Sequence, residues 1–232
     1  MKFNLVYWVV IVCVVIVIII LFCLQYDRLC QPWHEATQDV VVQFNREGFV
    51  IVRDVFTDDE IKSVRKEIED YIGDSTSLSV VDFVNRGILP KTSSLRGSPR
   101  LHMVLRQIFD GDDYRFCNHN DIGYERIVPW HKDRLNDRYR KYERLDPFST
   151  EQRIVKVAIY LQSHENDSHG LHVVPRSQTK RQIETRGCRV LRPKIGWVVI
   201  FDQRLTHRGD GLLQGLAKYL GLNKSDRKRI LV

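Results

Sequence analysis

Trp130-His131-Lys132-Asp133 sets a histidine and a carboxylate two residues apart. On an extended backbone alternate side chains share a face, so His131 and Asp133 can turn together into the mouth of a barrel. Two such ligands joined by a distant histidine make the facial triad of non-haem iron oxygenases. Three ligands on one face leave three neighbouring positions, two for a bidentate oxoacid and one for dioxygen. His207 fits the distant position, because it follows the apolar run Trp197-Val198-Val199-Ile200-Phe201 through Asp202-Gln203-Arg204-Leu205-Thr206. His131, Asp133 and His207 are therefore the candidate catalytic and metal-binding residues. The remaining histidines read differently. His119, His164, His169 and His172 match no zinc spacing, and His34 lies in a polar stem. Ser177 and Cys188 lack the context of an activated nucleophile.

Strands must hold such a triad. β-prone runs at 49–56, 114–119, 125–130, 154–161, 171–174, 196–201 and 229–232 are separated by turn-rich or charged segments. Helices come mostly earlier. A brief one is predicted over 37–45, closed near Gly48. Thr57-Asp58-Asp59-Glu60 is a capping box, followed by Ile61, Val64, Ile68 and Ile72 at helical steps and by Gly73. Ser98-Pro99 opens another helix, with Leu101, Val104, Leu105 and Ile108 as its apolar stripe and Gly111 at its end. Residues 74–97 are expected as loop with short structure, and 212–220 as a late helical stretch. Helices first and short strands after predict a mainly β sandwich or barrel with helices packed outside.

Several blocks, in order, resemble the phytanoyl-CoA dioxygenase-like family of iron(II)- and 2-oxoglutarate-dependent oxygenases over 41–232. They are Gly48-Phe49-Val50-Ile51-Val52-Arg53-Asp54-Val55-Phe56, Asn120-Asp121-Ile122-Gly123 with Trp130-His131-Lys132-Asp133, and Val157-Ala158-Ile159-Tyr160-Leu161-Gln162. Gly170-Leu171-His172-Val173-Val174-Pro175 and Ile200 to Gly209 continue the series. The resemblance implies a double-stranded β-helix (jelly roll) with iron between its sheets, held by His131, Asp133 and His207. It implies Fe(2+) and the cosubstrate 2-oxoglutarate. It also expects an Arg on the strand after the distal His, whose planar fork matches the far carboxylate of the oxoacid. Arg229 is the first choice, Arg227 on the same face the second, and Lys218 a third. The intact Asp133 favours hydroxylation, since related halogenases place a small residue there to admit chloride. Two departures stand out: the family's Pro-Gly-Ser-His reads Pro175-Arg176-Ser177-Gln178, and its Gly-Asp reads Gly196-Trp197. The sequence given stops at Val232, within the Arg-bearing strand. That keeps open a catalytically impaired, membrane-tethered binding domain of the same fold. A different metal-dependent enzyme on the same ligands, such as a zinc hydrolase, is the third reading.

Among the 232 residues, positions 5–24 carry no charge. Twenty helical residues at about 1.5 Å each cross the ~30 Å hydrocarbon layer. Tyr7, Trp8 and Tyr26 suit its interfaces. A cleaved signal would have a shorter apolar core and a small-residue site, which Cys23-Leu24-Gln25-Tyr26 does not offer. The organisation expected is a tip at 1–4, a transmembrane anchor at 5–24, a stem at 25–40 and the catalytic domain at 41–232. Lys2 and the free amine outweigh Arg28 beside Asp27, which favours a type II membrane protein with a luminal domain. A luminal site turns the substrate list from acyl-CoA toward a secretory-pathway lipid, glycan or protein, or another small molecule. Lys and Arg number 36 against 29 Asp and Glu, a net charge of +7, but no nucleic-acid motif accompanies them. Cys30, Cys117 and Cys188 show no metal spacing and allow one disulfide. Asn166-Asp167-Ser168 and Asn223-Lys224-Ser225 are glycosylation sequons.

Overall fold

The computed structural model describes residues 5–28, 30–33, 39–74, 78–116, 120–124, 128–133, 153–164, 170–209 and 230–231. The apolar run before Asp202 becomes a strand, β8 (Val198–Asp202), buried along its whole length. It lies between β2 (Phe49–Val52) and β5 (Val155–Ile159) in an antiparallel sheet. Alternation divides these strands between two cores. Val50, Ile159, Val198 and Ile200 face a helical layer. Phe49, Ile51, Ala158, Tyr160, Val199 and Phe201 face a second sheet.

That second sheet runs β1 (Gln31–Pro32), β7 (Arg189–Val190), β6 (His172–Val173), β9 (His207–Arg208). Leu171, Val173, Leu191 and Leu205 complete the core between the two sheets. On the outer side, Val174 and Val190 cluster with a disulfide between Cys30 and Cys188. A third sheet contains β3 (Leu78–Val81), β4 (Asp121–Tyr124) and β10 (Ile230–Leu231), with β4 in the middle.

The helical layer follows from local signals. α2 (Val40–Glu47) starts where the Asp39 carboxylate accepts from the Val42 N–H, and ends at Gly48 with φ +82°. α3 (Asp58–Ile72) has the expected reciprocal Thr57–Glu60 cap and buries Ile61, Val64, Ile68 and Ile72. After the short α4 (Pro90–Ser94), α5 (Pro99–Phe109) opens with Ser98 accepting from the Leu101 N–H. Leu101, Val104, Leu105 and Ile108 pack from it onto the first sheet's core. The architecture is mainly β with flanking helices, as a jelly roll requires.

Several expected boundaries move. The strand expected over 49–56 ends at Val52; Asp54 takes φ 51° and the Phe56 N–H reaches the Gly196 carbonyl instead. Residues 114–116 are not a strand: Tyr114 and Phe116 cluster with His102, and Tyr114 stacks on Phe109. The strand lies later, at β4, because its partner β3 is a four-residue piece within 74–97, where loop with short structure was expected. Likewise 128–130 is not extended into a ladder, and Trp130 forms a bend before His131. β10 falls within the expected 229–232 strand and pairs with β4.

The N-terminal helix, α1, spans Leu5–Arg28. Its described side chains, 7–21, are apolar and almost all exposed. At about 1.5 Å per residue this stretch covers roughly 22 Å. Among the described residues, no helix is long and apolar enough to cross a membrane. The span expected over 5–24 runs past the described side chains at both ends.

Candidate metal centre

β9 and the segment before Asp133 meet as a single antiparallel bridge. The His131 N–H donates to the His207 carbonyl and the His207 N–H to the His131 carbonyl, each at 3.0 Å. Directly opposed residues on a ladder send their side chains to one face. The two imidazole centroids are 4.2 Å apart. Asp133, two residues on, is held by its N–H to the Gln203 carbonyl at 3.3 Å. Nitrogen and carboxylate atoms of His131, Asp133 and His207 lie within 4.8 Å of one another, with His207 and Asp133 buried.

Each histidine is oriented the same way. His131 Nδ1 pairs with the Pro129 carbonyl at 2.8 Å and His207 Nδ1 with the Leu205 carbonyl at 2.9 Å. A carbonyl can only accept, so Nδ1 carries the proton and Nε2 offers its lone pair. Both Nε2 atoms face Asp133: His131 is 3.4 Å from Oδ1 and His207 3.6 Å from Oδ2. Asp133 Oδ2 is buried and ion-paired with the Lys156 ammonium. Two imidazole nitrogens and one carboxylate, with fixed tautomers and a lone pair to spare, fit iron(II).

Electrostatics keep the donors ready. Burial opposes ionisation of Asp133, but His207, His131 and Lys156 outweigh it and hold the carboxyl well below the usual range. Burial pushes His207 down to about 4, against the pull of Asp133. His207 is therefore neutral at physiological pH, and the Lys156 ammonium, 2.8 Å from Asp133 Oδ2, supplies positive charge there.

Lys156 and Lys132 escaped the reading of the sequence. Lys156 is an inward position of β5, two residues before Ala158 and four before Tyr160, both of which face the second sheet. Lys132 points away from the metal face and donates to the Ser177 and Arg204 carbonyls, each at 2.6 Å. The expected carboxylate clamps Arg229 and Arg227, and Lys218, lie outside the described residues, as do His34, His119 and His169. His164 is bonded to Gln162 at 2.8 Å, and His172 sits on β6 facing the Trp130 ring. Neither joins the metal cluster. Ser177 Oγ accepts from the Thr206 N–H and donates to the Val174 carbonyl, a structural role, and Cys188 is in the disulfide. Arg176, standing where the resemblance expects Gly, adopts φ 64° as that Gly would.

A family model described as phytanoyl-CoA dioxygenase (PhyH) matches residues 44–211. Among solved structures, AviO1 from Streptomyces viridochromogenes Tue57 superposes with TM-score 0.61 at 20% identity, over 85% of this chain and 94% of that one. EctD from S. alaskensis, solved with 2-oxoglutarate and 5-hydroxyectoine, gives 0.61 at 18%, over 88% and 77%. The epimerase SnoN, solved with Fe3+, alpha ketoglutarate and nogalamycin RO, gives 0.60 at 13%, over 83% and 79%. At these identities the likeness is one of fold. No curated relative matches the chain in sequence.

Proposed function

The chain belongs to the phytanoyl-CoA dioxygenase family, and we propose that it hydroxylates an unactivated C–H bond at iron(II) held by His131, Asp133 and His207. Family membership makes it a non-haem iron(II)- and 2-oxoglutarate-dependent dioxygenase. The observation that carries the assignment of the ligands is the convergence of two oriented Nε2 atoms and one ionised carboxylate within 4.8 Å. Bound iron supplies the redox chemistry that couples 2-oxoglutarate and dioxygen to succinate, CO2 and an oxidised substrate. The protein contributes geometry. Backbone carbonyls fix both imidazoles, Phe201 of β8 packs against the His207 ring, and the intact Asp133 leaves no place for a halide. Incubated with iron(II), 2-oxoglutarate and dioxygen, the full chain should release succinate, and His207→Ala should not. A chain that keeps zinc and releases no succinate would instead be a hydrolase or a binding domain.

We also propose that residues 5–24 anchor the protein and that its catalytic domain is luminal. Two observations support this: the charge-free run lies in a 24-residue helix, and Cys30 pairs with Cys188, a bond that persists in oxidising compartments. The substrate is then a lipid, glycan, protein or small molecule of the secretory pathway rather than a cytosolic acyl-CoA thioester, with no role for nucleic acid. Glycosidase-sensitive mass at Asn166 or Asn223, which lie outside the described residues, would bear this out. Digestion of the domain by protease added to intact vesicles would place it in the cytosol.

A further inference from the structure

Lys156 is a charged residue on a strand face otherwise given to the core. Its register partner on β8 is Phe201, whose ring lies 4.8 Å from that of His207. The side chain is 32% exposed while the Asp133 side chain is 5% exposed, so Lys156 reaches from the open mouth toward a buried carboxylate. Its Nζ is 2.8 Å from Oδ2, the same oxygen that lies nearest His207 Nε2. A divalent cation in the triad and the ammonium would therefore compete for one oxygen. Like charges at that range repel, unless an anion enters between them.

The proposed reaction brings such an anion. An oxoacid chelated through its oxo group and near carboxylate still carries a second carboxylate a few bonds away. The flexible four-carbon stem of lysine lets the ammonium turn from Asp133 to meet it. Resting on the reading of the site as an iron(II)/2-oxoglutarate centre, we propose that Lys156 receives the far carboxylate of the cosubstrate. The resemblance assigns that role to Arg229 or Arg227. Lys156 thereby couples the two binding events: metal frees the ammonium from Asp133, and the freed ammonium selects a dicarboxylic oxoacid over a monocarboxylic one.

The test uses the full chain in detergent under anaerobic conditions, loaded with iron(II). The charge-transfer absorbance of the iron–oxoacid chelate is titrated with 2-oxoglutarate and, separately, with 2-oxobutanoate, which lacks the far carboxylate. Lys156→Met should weaken 2-oxoglutarate about ten- to hundredfold, the loss expected for a charge-assisted contact. It should leave 2-oxobutanoate unchanged and manganese(II) affinity equal or tighter. Lys156→Arg should restore most of the preference, which a merely structural lysine would not predict. Equal weakening of both acids, or an unchanged preference in Lys156→Met together with its loss in Arg229→Ala, would overturn the assignment. A wild-type chain that binds iron(II) but gives no chelate signal with either acid would overturn the reading of the site as well.

Discussion

Between the two proposed ligands of the His-x-Asp pair, Lys132 turns the other way and ties that segment to its neighbours. Its ammonium bonds the Ser177 and Arg204 carbonyls, so it braces the turn that presents His131 and Asp133 against the approach to β9. Burial pushes its pKa down to about 8, against the pull of Asp202 and Glu184. In the unfolded chain it titrates near 10.4. Between these values the unfolded state holds more protons than the folded state, so this residue makes stability rise with pH across about 8 to 10. The neutral amine still donates to both carbonyls, so the contacts survive deprotonation. Urea denaturation at pH 7.5 and 9.5 should therefore show a gain on the order of 2 kcal/mol in the wild type that is missing in Lys132→Met. Equal pH responses would mean the ammonium is not desolvated. The triad itself was legible, because His-x-Asp and a histidine behind an apolar run are types and spacings. Lys132 and Lys156 were not, since a lone charge in a sequence reads as solvated until neighbouring strands bury it. The parity of Lys156 with Ala158 and Tyr160 was the one available signal.

Elements with local causes were read well and those with distant partners less so. α3 and α5 carry their caps and apolar stripes in contiguous sequence, and both form where expected. β3 and β4 owe their existence to each other across some forty residues, and neither has a strong pattern of its own. A strand was therefore placed at 114–119, on aromatic residues that pack beside α5 instead. The two-residue strands β6, β7 and β9 are set by register too, and register places His207 opposite Val173. Gly170, just before β6, shows how tightly: a Cβ there would lie 1.7 Å from the Leu191 carbonyl oxygen. Gly170→Ala must shift the backbone that bonds Leu191 to Leu171, and should cost about 1–3 kcal/mol. Ile200→Ala, at a fully buried position of β8, should cost about 2–5 kcal/mol. Denaturant midpoints check both, and a loss under about 0.5 kcal/mol at either would mean that the packing there is loose.

Across the whole molecule, one covalent tie joins the start of the domain to the sheet that carries His207. Cys30 lies just after α1, Cys188 just before β7, and they are separated by 158 residues in sequence. Closing so long a loop restricts the unfolded chain, so Cys30→Ser or Cys188→Ser should lower stability by about 2–4 kcal/mol. Faster migration on non-reducing gels, lost in either variant, would confirm the bond in the purified protein. A mainly β sandwich or barrel with helices outside could be anticipated from the order of helices and strands, and the family resemblance narrowed it to a jelly roll. The disulfide could not be anticipated, because three candidate cysteines left the pairing open. These features support the proposal that three side chains from two segments, His131 with Asp133 and the distant His207, hold one metal. Elemental analysis of the full chain, reconstituted anaerobically with iron(II) and freed of excess, tests it most directly. One iron per chain is expected, falling to background in both Asp133→Ala and His207→Ala. Full iron occupancy in the two variants would contradict it.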